Sequence, residues 1–269
     1  MHELPIIQGL WIGNHLSLLE QLSIKSFLAH GYTYHLYSHN KIENVPRGVV
    51  LQDANTILPW EEMKDLLKNK IATAHIADYF RYLLIYRQGN VWADLDTICL
   101  RPIQLDVPYI FGWDGTQHSQ IANGFFGAPA GCKLLYNCLN ESKNIIKRRK
   151  HKWEESGPQL FSKQIKNCSL EPYAADSSKF YPLHWTESYK IICEKLPAYE
   201  QNQILEQSET LHVYNETFRK GLRRLLCHMK QKYEYGQLHA ILHYLEFNKN
   251  KLYSPHTLLG KLQEKYLDT

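Results

Sequence analysis

Short apolar segments alternate with amphipathic helices along the first half of the chain, and this alternation is what most constrains its fold. Apolar runs at residues 5–13, 34–38 and 48–51 predict strands. A helix predicted from Ser17, ended by Gly31, separates the first two. Strands that alternate with helices favour βαβ units and a mainly parallel sheet. The sequence therefore predicts an α/β protein.

The same pattern continues through the middle of the chain. Helices are predicted at 59–70, 71–88 and 132–146, and strands at 90–93, 108–112, 122–128 and 210–214. Helices are expected again from residue 218 to the end. The sequence has no internal repeat and no low-complexity linker. We therefore expect one α/β domain over residues 1–217, with a helical extension over 218–269 packed on it.

Two acids, Asp94 and Asp96, directly follow the strand predicted at 90–93. In an extended segment, residues two apart project to the same side. Paired carboxylates are ligands that Mg²⁺ or Mn²⁺ prefers, together with the phosphates of a substrate. Open α/β sheets bind ligands at the carboxyl ends of their strands. A bare Asp-x-Asp is common in proteins, so its position after a strand is what favours a metal-diphosphate site.

The preceding helix carries Asp78 and Arg81 one turn apart on one face. Neither side chain suits an apolar core unless it is paired. The spacing fits an ion pair within the helix. It fits equally well a pair in which Arg81 meets a phosphate or sugar hydroxyl while Asp78 accepts from hydroxyl groups.

Composition excludes several other classes of protein. Of the 269 residues, 44% are hydrophobic and 22% are charged, which is typical of folded globular chains and unlike disordered ones. No apolar run is long enough to span a membrane, and the chain starts without the pattern of a signal peptide, so a cytoplasmic location is expected. The six cysteines are scattered singly, which favours ordinary thiols over a zinc site.

The formal net charge of +4 is too small to indicate nucleic-acid binding. The basic residues concentrate at 147–152 and 219–224. These stretches are either solvated helix faces or a surface for peripheral contact with the anionic inner face of a membrane.

Residues 77–82 (ADYFRY), 89–97 (GNVWADLDT) and 100–102 (LRP) together resemble the DXD sugar-binding region of glycosyltransferase family thirty-two. This family includes bacterial capsular and lipopolysaccharide transferases, and it is distantly similar to the clostridial glucosylating toxins. Residues 10–13 (LWIG) resemble the family's first-strand motif, and 156–158 (SGP) stand where Thr-Gly-Pro is frequent. Residues 211–218 (LHVYNETF) resemble its closing motif but depart from it at Tyr214, Thr217 and Phe218, where Trp, Ser and Trp are usual.

The resemblance implies a GT-A fold, a Rossmann-like and mainly parallel sheet that binds a nucleotide sugar together with Mn²⁺ or Mg²⁺ and acts with retention of configuration. It implies that Asp96 binds the metal, that Asp94 binds sugar or ribose hydroxyls and touches the metal through water, and that His212 completes the metal site. The implied catalytic residues are Asp94 and Asp96, and the implied donor-binding residues are Trp11, Asp78, Arg81, Asp94 and Asn123.

The function expected from this resemblance is transfer of a hexose, from a UDP-sugar in particular, to a glycan or lipid-linked oligosaccharide in bacterial capsule or lipopolysaccharide biosynthesis. Two alternatives remain open at this point. One is a toxin-like effector that glycosylates a protein, and the other is a non-catalytic protein that binds a nucleotide sugar or a glycan.

Overall fold

A five-stranded, mostly parallel sheet forms the centre of the protein. The computed structural model describes residues 4–69, 71–104, 107–115, 120–148, 155–218 and 246–267. Strands β1 (Ile7–Trp11), β2 (Tyr34–Ser38), β3 (Val49–Asp53) and β4 (Val91–Ala93) run parallel to one another in the order β3-β2-β1-β4. The predicted α/β class and mainly parallel sheet are confirmed.

Two further strand pairings complete the sheets. Strand β5 (Thr97–Cys99) follows the two acids and lies outside the central sheet. Strand β6 (Phe125–Gly127) pairs antiparallel with β4 and forms one edge of the central sheet. A small second sheet joins β5 to β7 (Thr210–His212), with Thr97 opposite His212. This pairing brings the chain's closing motif to the end of β4.

Helices cover both faces of the sheet. They are α1 (Leu18–Ala29), α2 (Trp60–Lys68), α3 (Thr73–Gln88), α4 (Lys133–Lys147), α5 (Pro158–Asn167), α6 (Ser177–Phe180), α7 (Ala198–Gln207) and α8 (Leu258–Leu267). Shorter 3₁₀ turns lie at Ala54–Thr56, Glu171–Tyr173 and Trp185–Ile192. The helices predicted at 59–70, 71–88 and 132–146 are confirmed within three residues at each end.

A tight reversal places α3 directly beside β4. Gly89 (φ +67°) and Asn90 (φ +68°) both adopt the left-handed conformation there. A Cβ added at Gly89 would lie 3.2 Å from the backbone nitrogen of Ala130, and the Asn90 side chain accepts from the Ile6 N–H. The reversal therefore sets the polar residues of α3 against the strand that carries the two acids.

The strand predicted at 108–112 is wrong, because this segment divides its pairing between two partners. Ile110 forms a single bridge with Gly127, while Gly112 bridges Ala175. Neither contact extends into a ladder. Conversely, β5 was not predicted, because its three residues acquire a strand partner only through β7, more than a hundred residues away in sequence.

Apolar packing joins the last described helix to the α/β part of the chain. Leu258 and Leu262 of α8 are buried in one cluster with Leu19 and Leu22 of α1. Residues 258–267 therefore pack against α1, while the division into 1–217 and 218–269 stays a prediction. The basic run 219–224 and residues 149–152 of the other basic stretch lie outside the described residues. Within the described ranges, no helix has both the length and the apolar character needed to cross a bilayer.

Candidate functional site

The two acids of the DXD motif leave β4 on a short turn whose backbone is fixed from both sides. The Asp94 N–H donates to the Gly124 carbonyl at 2.7 Å, and the Thr97 N–H donates to the Asp94 carbonyl at 2.9 Å. Leu95, between the acids, is buried, and a Cβ added at Gly9 of β1 would lie 2.8 Å from its Cδ1. Leu95 thus anchors the turn on β1.

Arg81 of α3 is the partner of Asp94. One guanidinium nitrogen of Arg81 lies 3.0 Å from Asp94 Oδ1, and the other donates to Asp94 Oδ2 at 3.3 Å. Arg81 Nη1 also donates to the Asn123 carbonyl at 2.6 Å, and Trp92 Nε1 donates to Asp94 Oδ1 at 2.9 Å. The Arg81 side chain is only 8% exposed. Asp94 is therefore held by a fork of donors from a neighbouring helix.

Asp78 lies behind this pair in a buried hydrogen-bond network. Its Oδ1 accepts from the Asn123 amide at 2.9 Å, and its Oδ2 accepts from the Ser156 hydroxyl at 2.8 Å. His75 Nδ1 lies 2.5 Å from the same hydroxyl oxygen. The ion pair with Arg81 expected within the helix exists at 3.6 Å, but the closer partner of Arg81 is Asp94. Asp78 thereby orients Asn123.

Three residues of the segment 212–215 hold Asp96. His212 Nε2 lies 3.0 Å from Asp96 Oδ1, and the Asn215 N–H donates to Asp96 Oδ2 at 2.7 Å. The Val213 N–H donates to the Asp96 carbonyl at 2.9 Å. The antiparallel β5–β7 pair supplies this geometry, because it places Thr97 opposite His212.

The two acids have opposite electrostatic environments. Burial, with Asp96 as a second negative charge, raises the pKa of Asp94 even though Arg81 acts in the other direction. Burial alone would also raise the pKa of Asp96, but His212 and the Asn215 N–H outweigh it and hold that pKa below its usual range. Burial likewise acts to lower the pKa of His212, and the Asp96 carboxylate reverses that effect, so it lies above its ordinary value.

The arrangement fits a divalent cation. Asp94, Asp96 and His212 offer ligand atoms that all lie within 4.8 Å of one another. His212 Nδ1 is buried, and none of the described residues gives it a hydrogen-bond partner. A Cβ added at Gly124 would lie 3.0 Å from Asp94 Oδ2 and 2.9 Å from His212 Cε1, so the absence of a side chain there keeps the space between them open. Carboxylate oxygens are the ligands that Mn²⁺ and Mg²⁺ prefer, whereas an imidazole nitrogen suits a transition metal better than Mg²⁺.

Trp11, the predicted base-stacking residue, lies at the carboxyl end of β1, the neighbour of β4. Its ring is partly buried, and its Nε1 has no hydrogen-bond partner among residues 4–69, 71–104, 107–115, 120–148, 155–218 and 246–267. The Lys249 ammonium lies 5.1 Å from the ring centroid. Lys249 is in turn held by Glu20 at 3.0 Å. No contact among the described residues joins Trp11 to the acids.

The sequence did not single out several residues that build this site. Ser156 was noted only as part of Ser-Gly-Pro, and His75 was not singled out. The backbone N–H groups of residues 213 and 215 leave no trace in the residue types. Gly124, directly after Asn123, could have been used to predict the site, because a glycine at the start of a strand indicates that another group lies close to the backbone there.

A profile of the family described as "glycosyltransferase sugar-binding region containing DXD motif" matches residues 19–112, which include Asp78, Arg81, Asp94 and Asp96. Residues 19–112 thus carry a DXD sugar-binding region of glycosyltransferase type, and the mostly parallel sheet, with an antiparallel edge strand and the DXD motif at the end of β4, has the arrangement of a GT-A fold. The solved structure of the PaToxG glycosyltransferase is similar to this chain, with 14% identity, coverage of 63% of this chain and 72% of that one, and a TM-score of 0.49.

Proposed function

We propose that this glycosyltransferase is metal-dependent and transfers a hexose from a nucleotide sugar, with Mn²⁺ or Mg²⁺ held by Asp94, Asp96 and His212. The observation that carries the proposal is the convergence of these three side chains within 4.8 Å. His212 lies 116 residues beyond Asp96, and within the described part of the chain its Nδ1 has no hydrogen-bond partner. A purely structural ion pair would not require that open nitrogen.

The bound metal would neutralise charge on the diphosphate as the glycosidic bond breaks. Asp96, whose carboxyl is kept ionised by His212, supplies a negative ligand at neutral pH. Asp94 is oriented by Arg81 and is the carboxylate that accepts from sugar or ribose hydroxyls. Arg81 offsets the negative charge of Asp94, which reduces the repulsion that an incoming diphosphate meets.

Trp11 is the residue we assign to the nucleotide base, with uridine as the preferred base. Asn123 and Asp78 complete the donor site: Asp78 fixes the Asn123 amide, and the Asn123 carbonyl fixes Arg81. Transfer with retention would proceed by displacement on one face of the sugar, with the leaving phosphate accepting the acceptor's proton. The catalytic domain is assigned to residues 1–217 and the extension to 218–269.

The acceptor class that we propose is a glycan or lipid-linked oligosaccharide of a bacterial surface polysaccharide, capsule or lipopolysaccharide, made on the cytoplasmic side of the membrane. The family resemblance supports this assignment. Peripheral contact through the basic stretches 147–152 and 219–224 would be detected by co-sedimentation with anionic vesicles at low salt. Equal sedimentation with neutral vesicles would contradict it.

The deciding experiment measures donor hydrolysis over a panel of uridine- and guanosine-diphosphate sugars, with Mn²⁺ or with chelator. We expect one donor to be hydrolysed only with metal, and Asp96→Asn to abolish this activity. Asp65→Asn, at an exposed acid of α2, is the matched control and should leave the rate unchanged. Metal-independent hydrolysis, or equal loss in both variants, would contradict the assignment. Binding of a donor without turnover in any acceptor mixture would favour the non-catalytic alternative.

A further inference from the structure

Tyr214, two residues after His212, has an unusual backbone conformation. Its φ is +56°, in the left-handed region that aromatic residues rarely occupy. Such conformations persist only where the surrounding contacts over-determine them, and they cluster at functional sites. The contacts of Tyr214 therefore require an explanation.

Because Tyr214 is in the left-handed conformation, the segment 212–215 can contact both carboxylate oxygens of Asp96. Before Tyr214, His212 reaches Asp96 Oδ1, and after it the Asn215 N–H reaches Asp96 Oδ2. An extended residue at 214 would carry residue 215 away from the carboxylate, because extended backbone advances by about 3.3 Å per residue. The conformation of Tyr214 thus sets how His212 and Asp96 meet.

Two side-chain contacts hold Tyr214 in this conformation. Its ring packs on the His212 imidazole with centroids 4.2 Å apart. Its hydroxyl donates to Asp114 Oδ1 at 2.7 Å. Asp114 is 4% exposed, and its own N–H donates to the Gln120 carbonyl at 2.9 Å. The hydroxyl is therefore tied to a buried and fixed acceptor.

We propose that Tyr214 and Asp114 form a positioning pair that holds the His212 imidazole in the orientation that binds metal. The pair acts through His212, and neither member is assigned a contact with metal or substrate. The inference rests on the proposed metal site.

The test measures Mn²⁺ affinity in the absence of any donor, by the electron paramagnetic resonance signal of free Mn²⁺. Tyr214→Phe keeps the ring and removes the hydroxyl, and Asp114→Ala removes its acceptor. Loss of a residue that orients a ligand histidine weakens metal binding by about 10- to 100-fold, so both variants should bind Mn²⁺ at least tenfold more weakly. Asp114→Asn keeps an acceptor oxygen and should retain affinity within about threefold of the wild type.

Tyr199→Phe is the matched control, because the Tyr199 hydroxyl also donates to a carboxylate, that of Glu200 at 3.1 Å, but the ring is 70% exposed. It should bind Mn²⁺ as the wild type does. Circular dichroism and thermal melting verify folding of each variant. If Tyr214→Phe does not fold, the comparison of Asp114→Asn with Asp114→Ala still tests the hydroxyl bond.

Unchanged Mn²⁺ affinity in Tyr214→Phe would overturn the positioning role. A loss of donor hydrolysis with unchanged Mn²⁺ affinity would overturn it too, since the hydroxyl would then act on the substrate. If the wild type and Asp96→Asn bind Mn²⁺ equally weakly, the metal site itself fails and the inference fails with it.

Discussion

Removing the charge of Arg81 should destabilise the protein far more than removing a closer but exposed ion pair. Arg81→Met keeps a long unbranched side chain and deletes the guanidinium. In the structure this group lies 3.0 Å and 3.3 Å from the oxygens of Asp94 and 5.1 Å from the Trp92 ring centroid. The substitution leaves the buried Asp78 carboxylate and the partly buried Asp94 carboxylate, which is 24% exposed, without their compensating cation.

Breaking a buried ion pair by removing one partner costs about 3–5 kcal/mol, because the remaining charge stays buried. The contact between Lys163 and Glu141 is shorter, at 2.7 Å, but these side chains are 58% and 36% exposed. Exposed pairs contribute about 0–1 kcal/mol. Distance alone would rank Lys163→Met as the more costly change, and burial reverses that order.

The assay is urea unfolding followed by circular dichroism, in chelator so that no metal contributes. We expect Arg81→Met to lower the free energy of unfolding by about 3–5 kcal/mol and Lys163→Met by under about 1 kcal/mol. Arg81→Met combined with Asp94→Asn should cost less than the sum of the two single changes, because the second removes the charge that the first leaves unpaired. A cost of Arg81→Met no greater than that of Lys163→Met would refute the reasoning.

Three further predictions concern separate features. Gly124→Ala should weaken Mn²⁺ binding by about 10- to 100-fold, because its Cβ would lie 2.9 Å from His212 Cε1. An unaltered Mn²⁺ titration would show that the space between Asp94 and His212 accommodates a methyl group. Burial raises the pKa of Cys99 to about 12, so iodoacetamide at pH 8 should leave this thiol unmodified in the native protein. Mass spectrometry should detect its modification only in urea, whereas the partly exposed Cys193 is the positive control. Burial, and then the charge of Lys265, lowers the pKa of His30 below 6.5, so the unfolded chain binds the proton more readily than the folded protein, and the stability should fall as the pH falls from about 7 to 5. His30→Gln should make the urea midpoint depend less on pH over this range. An unchanged pH dependence in that variant would assign it to other groups.

The part of the fold that follows from local pattern could be predicted from the sequence. Apolar runs bounded by Gly and Asn located β1, β2 and β4, and the helical spacing of apolar residues located α3 and α4 within a few residues. The small sheet was outside the reach of such reasoning, because β5 has only three residues and its partner lies far along the chain. Long-range pairing leaves no periodicity in either segment.

The candidate site divides in the same way. Asp94 and Asn123 were identified beside predicted strands, whereas Asp78 and Arg81 were identified by their spacing on one helix face and by the family resemblance. The structure brings all four together. The partnership of Arg81 with Asp94 depends on the left-handed reversal at residues 89–90, which the sequence indicates only through Gly-Asn. The backbone donors at 213 and 215 are invisible in sequence, since every residue except proline carries the same N–H group.

Asp94 and Asp96 are only two positions apart, yet their partners differ. Asp94 receives an arginine fork from α3 that is itself fixed by the Asn123 carbonyl, so this carboxylate is rigid and its charge is offset. Asp96 receives His212 and a backbone N–H from the closing motif, and these keep its pKa low. Two neighbouring carboxylates repel each other, so both can remain ionised near pH 7 only if each has its own positive partner. Arg81 supplies a permanent positive charge, whereas His212 can release its proton when a cation arrives. The ion pair at Asp96 is therefore the exchangeable one, and this asymmetry is what we expect of a site that binds metal through Asp96 and orients hydroxyls through Asp94.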